Sequence, residues 1–287
     1  MPEALYGGQA VLEGVMMKGP QCTAIAVRRP DTSIVVKEET CVSWTRRSPL
    51  LGLPVVRGVV SLVETLFLGI NALIYSANQT AADESEQLGW LETTITLVVA
   101  VVAAVGIFII APTALGGLGH RFTANPLLLN LLEGALRIFF LLAYIYAISF
   151  MKDIQRVLQY HGAEHKVINA FESGAELSPA SVRPFPTLHP RCGTSFLLFV
   201  AVVSILLFTF FGWPDLWTRI ITRLLAAPLV AGLAYEVIRL AGRSKSPLVW
   251  LISLPGLGLQ LLTTREPDDA QVEVAIAAFR AAKMEGN

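Results

Sequence analysis

The sequence predicts a mainly α integral membrane protein with about four transmembrane helices, an interfacial helix, a re-entrant segment and a small β-containing cytoplasmic cap. Three observations carry that prediction. The chain is 54% hydrophobic and only 15% charged, where a soluble domain carries about 25% charge. The charge that exists is absent from several long apolar blocks. The basic residues between those blocks gather in particular connections, the pattern that orients a multi-pass protein. Net charge is formally zero, so the partner implied is the lipid bilayer and no nucleic acid is expected. Cys22, Cys41 and Cys192 are an odd number without framework spacing, which argues against a disulfide scaffold. Met1 to Tyr6 shows no basic region leading into an apolar core, so no cleaved signal peptide is expected.

Residues 1–56 are too polar to span and read as an N-terminal cap. Ala24–Arg29 and Ser33–Glu39 have strand composition, and Pro30-Asp31-Thr32 between them reads as a turn. Residues 57–78 form a helix in which Arg57, Glu64, Asn71 and Asn78 recur every seventh position. That spacing makes one polar stripe, drifting about 20° per repeat. Such a helix lies in the interface, or spans with its stripe against protein. Leu91–Pro112, Leu127–Met151, Ser195–Trp213 and Ile220–Leu240 are each near the ~20 residues a span needs. Leu248–Leu262 is shorter and interrupted by Pro255-Gly256-Leu257-Gly258, as in a re-entrant or broken segment. The core is thus 91–263, with a long loop at 152–194. Residues 264–287 close the chain with an amphipathic helix, acidic in its first turn at Asp268 and Asp269 and basic in its last at Arg280 and Lys283. The whole reads as one functional unit.

Orientation follows from the basic residues. Lys18, Arg28, Arg29, Lys37, Arg46 and Arg47 precede the core, and Lys152, Arg156, Lys166, Arg183 and Arg191 lie in the long loop. Arg243 and Lys245 form a third group, while connections 113–126 and 214–219 hold only Arg121 and Arg219. Four spans put every basic group on one side, the cytoplasmic one.

The strongest chemical signal is His161-Gly162-Ala163-Glu164-His165, an H-x-x-E-H string. Histidines four apart share a helix face and reach one metal ion. In that pattern the glutamate polarises a metal-bound water, which assigns Glu164 as the catalytic base. Glu172, seven positions after His165, is a further carboxylate candidate on the same face. The alternative is a polar helix whose histidines make ordinary hydrogen bonds. Gly162 disfavours the helix by about 1 kcal/mol relative to Ala. A second group, His189-Pro190-Arg191-Cys192, places His189 and Cys192 three apart as a ligand pair, with Arg191 free for a phosphate or carboxylate. The candidate metal set is therefore His161, His165, Glu172, His189 and Cys192. A thiolate among the ligands selects Zn²⁺ over Mg²⁺. Gln9 and Glu13 are the polar groups of a third, glycine-rich stretch at 7–20 that fits neither a P-loop nor a dinucleotide fingerprint. Inside the spans, Glu133 and Arg137, and Glu236 and Arg239, are spaced to neutralise one another along a helix.

Four of these blocks together resemble the YqhQ-like family of bacterial membrane proteins: Gly7–Met17, His161–Lys166, Pro190–Phe196 and Thr263–Asp269. The resemblance covers nearly the whole chain. It implies a multi-pass protein of the bacterial cytoplasmic membrane. The family often carries the label of a predicted metal-dependent enzyme, which rests on the same histidines and names no substrate. Two functions follow. The first is a metal-dependent hydrolase at the cytoplasmic face. The second is a non-enzymatic homo-oligomeric channel, transport component or assembly factor, with the stripe Arg57, Glu64, Asn71 and the charged pairs lining a polar intramembrane path.

Overall fold

The computed structural model describes residues 6–40, 43–81, 89–241 and 247–283. Cys41, Arg243 and Lys245 lie outside the described residues. The N-terminal segment is a four-stranded antiparallel meander in the order β1-β2-β3-β4 (Gly7–Val11, Gly14–Lys18, Cys22–Arg28, Ile34–Thr40). The second hairpin falls where strand composition and Pro30-Asp31-Thr32 placed it, with Thr32 at a φ of 69°. The first hairpin, drawn from the glycine-rich stretch, is a correction. Glycines at 7, 8 and 14 hide the period-two signal of a strand. Glu13, at a φ of 49°, takes the left-handed turn between β1 and β2.

Helices follow as α1 (Val56–Thr80), α2 (Trp90–Val105), α3 (Ala111–Gly116), α4 (Pro126–Ile148), α5 (Lys152–Glu172), α6 (Pro179–Val182), α7 (Thr194–Thr209), α8 (Leu216–Ala241), α9 (Pro247–Thr263) and α10 (Asp269–Lys283). A five-residue π turn, Gly106–Ile110, joins α2 to α3. It precedes Pro112, whose missing N–H and ring cannot fit a regular α-helical turn.

Among the described residues, four helices are long and apolar enough to cross a membrane: Val56–Thr80, Trp90–Arg121, Pro126–Ile148 and Leu216–Leu240. The number is the one expected, but the membership differs. The 57–78 helix joins the set by length and composition, because its polar stripe is too sparse to lower its hydropathy. Thr194–Thr209 has only 16 residues as a helix, shorter than the Ser195–Trp213 expected, since the chain turns at Phe210–Gly212. The segment expected to be broken at Pro255 is one 17-residue helix.

α4 and α7 run side by side. Asn130 Nδ2, in the second turn of α4, donates to the Gly212 carbonyl just past the end of α7 (3.0 Å). At the other end of α4, Arg265 Nη2 donates to the Ser149 carbonyl (2.9 Å). α8 meets α1 where Gly58 and Gly232 touch, and Arg57 pairs there with Glu236 (Nε to Oε1, 2.7 Å). Glu236 therefore reaches across helices to Arg57; the expected partner was Arg239, three residues on. Beyond this crossing, α1 lays Gly69, Ala72 and Ser76 against the sheet. Its opposite side, with Val63, Leu66 and Phe67, is exposed.

The main core is the cap itself. Ala10, Val15, Met17 and Ala24 of the sheet pack with Tyr160, Ala163 and Val167 of α5 and with Val274, Ala278 and Phe279 of α10. The amphipathic helix expected after Pro267 supplies the last of these faces.

The Gly58–Gly232 contact sets the approach of α1 to α8. A Cβ on Gly58 would lie 2.9 Å from both the Gly232 carbonyl oxygen and the Tyr235 Cβ. Gly58→Leu should destabilise the protein by about 1–3 kcal/mol through overpacking. Thermal unfolding in detergent measures it, with Gly106→Ala as control, because a Cβ at Gly106 meets nothing within 4 Å. Equal midpoints for Gly58→Leu and wild type would remove this crossing as a constraint.

Candidate metal centre

The site is built on α5, which is buried from Tyr160 to Ala170 with only His161 and Asn169 partly open. The helix is enclosed because β1 and β2 cover one side, α10 another, and the 183–192 segment a third. Gly162 is what permits that enclosure. A Cβ there would stand 2.0 Å from the Arg265 carbonyl oxygen. The backbone after α9 thus lies directly on α5, and Arg265 N–H donates to the Leu158 carbonyl (2.9 Å). The glycine that weakens the helix locally is required by its packing.

Two backbone carbonyls then orient the histidines. His161 Nδ1 donates to the Thr263 oxygen (2.6 Å), and His165 Nδ1 to the Thr187 oxygen (2.5 Å). A carbonyl only accepts, so each Nδ1 carries the proton and each Nε2 is left with a lone pair. The rings stand 4.4 Å apart between centroids. Cys192 Sγ lies 3.3 Å from His161 Nε2. The ligand atoms of His161, His165 and Cys192 all fall within 4.8 Å of one another. Carbonyl-anchored imidazoles of this kind are the usual outer shell of a histidine metal site.

The other candidates are placed differently. Glu172 is seven residues beyond His165, about 10 Å along the axis at 1.5 Å per residue. There it pairs with Arg191 and stands 3.5 Å from His189 Nε2. His189 is buried; its Nδ1 accepts from the Arg191 N–H (3.3 Å) and its Nε2 faces Glu172. Both flank the three-residue cluster without joining it. Burial first, and then the Arg191 charge, hold the His189 imidazolium down to a pKa of about 4.

Glu164 sits on the cavity side of α5, fully enclosed, and β1 lies on it: a Cβ at Gly8 would come within 3.0 Å of its Cδ. Burial pushes its carboxyl up to about 7, against His161 and the Gly8 N–H, which favour the ionised form. Its Oε2 has no hydrogen-bond partner among the described residues. A cavity of about 390 Å³ opens here, lined by Gly8, Gln9, Thr65, Glu164 and Arg191 together with the three clustered residues. Gln9 enters it from β1. Glu13 does not; it pairs with Arg156 and accepts from Tyr160 Oη (3.3 Å).

The polar stripe is used in packing. Arg57 holds Glu236, while Glu64 binds Lys18 Nζ (2.7 Å), Ser43 Oγ (2.9 Å) and the Trp44 N–H (2.9 Å). Asn71 is exposed. Sequence reasoning missed Gln260, which clamps the loop: its Oε1 accepts from the His189 N–H and its Nε2 donates to the His189 carbonyl, both at 2.9 Å. The available signal was a lone amide inside the apolar run Leu248–Leu262.

His189 gives a pH dependence with a definite sign. Its folded pKa is depressed from 6.5 to about 4, so below 6.5 the unfolded chain takes up a proton that the folded chain refuses. Stability should fall as pH drops through that window and level off beneath it. Thermal midpoints of metal-free protein between pH 7 and 4 should fall less steeply for His189→Asn than for wild type. Identical slopes would show that His189 is protonated without penalty in the fold.

The comparisons with known proteins give the family. Residues 53–285 match a family model described as "Protein of unknown function (DUF1385)". The chain is 34% identical over 288 residues to the uncharacterized protein YqhQ of Bacillus subtilis (strain 168), covering 96% of this chain and 91% of that protein. No solved structure gives a significant match. The sheet-capped bundle and its His161–His165–Cys192 cluster are thus those of a chain that belongs to the YqhQ-like DUF1385 family.

Proposed function

We propose that this protein is a multi-pass protein of the bacterial cytoplasmic membrane whose cap binds Zn²⁺ and hydrolyses a substrate at the membrane face. One observation carries the reading. Two imidazoles with free Nε2 lone pairs and one thiol converge beside an open cavity. Three protein ligands with a vacant direction is the arrangement of catalytic zinc, whereas structural zinc is closed by four. The donor set fits zinc, because magnesium prefers oxygen ligands. Bound there, the ion would supply an acidified water as nucleophile. Glu164, whose Oε2 is unpartnered and which lines the same cavity, would take that proton and return it to the leaving group. A carboxyl poised near neutrality suits both transfers. Thr65 of α1 forms part of the cavity wall, next to the exposed apolar side of that helix, which favours a substrate drawn from the membrane surface.

The topology we propose follows from counting crossings. β1 and β2 pack on α5, so the N-terminal sheet and α5 share a side. An even number of crossings must separate them. The α2–α3 stretch and α4 provide two, which keeps α1 in the interface despite its length. α1 is suited to that position, with one side on the sheet and the other apolar and exposed. α7 starts beside His161 and ends beside Asn130 at the far end of α4, and α8 returns to Arg57. α9 then ends on the cap side, where the Thr263 carbonyl meets His161. Arg57, Glu64, Glu133, Arg137 and Glu236 are occupied with structural partners, which leaves the channel alternative with less support. A second copy remains a natural partner for α2, whose residues are unburied along its length.

Two experiments test these readings. Protein purified without chelator should hold about one zinc per chain by elemental analysis. His161→Ala, His165→Ala and Cys192→Ser should each lose most of it. Glu164→Gln should keep the metal while hydrolysis falls about 10²–10⁴-fold. Wild-type protein that neither carries zinc nor takes it up would end the enzyme reading. For topology, single cysteines are placed in a background with Cys22, Cys41 and Cys192 replaced by Ser. An impermeant maleimide should label Ala124→Cys in sealed cells and Glu38→Cys only after lysis. The reverse pattern would invert the orientation.

A further inference from the structure

At the end of the bundle away from the cap, three guanidiniums meet one carboxylate. Glu133 of α4 pairs with Arg137 of the same helix, with Arg223 Nε of α8 (3.1 Å) and with Arg219 Nη1 (3.6 Å). The pairing of Glu133 with Arg137 was legible in the sequence; the two arginines of α8 were not. The side chains of Glu133, Arg219 and Arg223 are at most 4% exposed. Arg223 Nη2 also donates to Asn130 Oδ1 (2.9 Å). Aromatic faces cover the cluster: Arg219 lies 3.9 Å from the Trp213 ring centroid, and Arg223 4.2 Å from that of Phe208.

This charge is not balanced. A guanidinium does not lose its proton in a protein, and Glu133, with the exposed Asp215 acting on Arg219 from farther off, does not neutralise three guanidiniums. The aromatic faces offset only part of the remainder. The surplus appears as unmet donors. Arg219 Nε and Nη1, Arg223 Nη1 and Arg137 Nε are buried without a hydrogen-bond partner among the described residues, four donors against one unmet acceptor, Glu133 Oε2, which stands 3.6 Å from Arg219 Nη1. Buried cations with open N–H groups are strongly disfavoured unless an anion completes them.

We infer that this cluster is a binding site for a phosphate-type oxyanion. Forked guanidinium donors from two adjacent turns of α8 match an anion with several acceptor oxygens, which phosphate offers and chloride does not. The level in the bundle agrees. Trp213 stacks on Arg219, and Trp217, two residues before it, is 72% exposed. Tryptophans of this kind mark the headgroup region of a bilayer. Glu133 is the internal strut that ties the three arginines together. The phosphate has two sources, a phospholipid headgroup or free inorganic phosphate, and the site is independent of the zinc cluster at the other end.

The test uses full-length protein, delipidated in a neutral detergent. Thermal unfolding is followed with added phosphatidylglycerol against phosphatidylcholine, and with inorganic phosphate against chloride at equal ionic strength. Native mass spectrometry counts retained lipid. If the source is lipid, phosphatidylglycerol raises the midpoint and leaves a stoichiometric adduct, while phosphate alone does little. If it is the free anion, phosphate alone raises the midpoint. Arg219→Gln and Arg223→Gln should each weaken the effective ligand by about tenfold or more, as expected for a lost charged hydrogen bond. Wild-type protein that responds to neither phosphatidylglycerol nor phosphate overturns the proposal, and this comparison needs no variant to fold. Undiminished binding in both arginine variants overturns the assignment to this cluster.

Discussion

The contact between the Arg265 carbonyl and the bare backbone of Gly162 is the constraint on which the cap depends. Any side chain at 162 would lift the chain that follows α9 away from α5. That chain brings the Thr263 oxygen to His161 and leads into α10, which covers α5, β2 and β3. One helical turn before it, Gln260 holds the His189 loop from which Cys192 approaches His161. A single close approach thus fixes the tautomer of one histidine, the path of the thiol-bearing loop and the docking of the last helix.

The two polar centres of the molecule rest on opposite electrostatic arrangements. The cap cluster is assembled from two imidazoles with Nδ1 committed to carbonyls, a thiol, and a carboxyl whose pKa burial raises to about 7. Among the described residues lining the cavity, Arg191 is the one that opposes a cation, and Glu172 engages it at the rim. The far cluster concentrates guanidiniums instead, with Glu133 as the central acid. Low surrounding dielectric makes both centres selective, because an unmatched charge in either is expensive.

Much of this was legible in the sequence, and the rest was hidden for physical reasons. Apolar runs and the turn at Pro30-Asp31-Thr32 announce helices and the second hairpin directly. H-x-x-E-H identifies His161 and His165 because helical periodicity converts spacing into proximity. Glycine carries no side chain to alternate, so β1 and β2 left no pattern. Periodicity within one helix also cannot report a partner on another. For that reason Glu236 was assigned to Arg239 and not to Arg57, and Arg219 and Arg223 were not associated with Glu133. Sharing a face placed Glu172 with His165, but two turns of rise carried it to His189 and Arg191. Backbone carbonyls, which anchor both histidines, leave no mark in a sequence at all.

The cap joins strands near residue 7 to a helix that ends at Lys283. Arg28, for example, donates to the carbonyl of Ala270, 242 positions later. A ribosome releases the sheet before α10, with the apolar helices among α1 to α9 emerging between them. The sheet therefore waits, its α10-facing side uncovered, while the bundle enters the lipid. Thr263, which anchors His161, is likewise synthesised 102 residues after it. Assembly is thereby ordered in time: the cap can close around His161, His165 and Cys192 only after the apolar helices between them have been made.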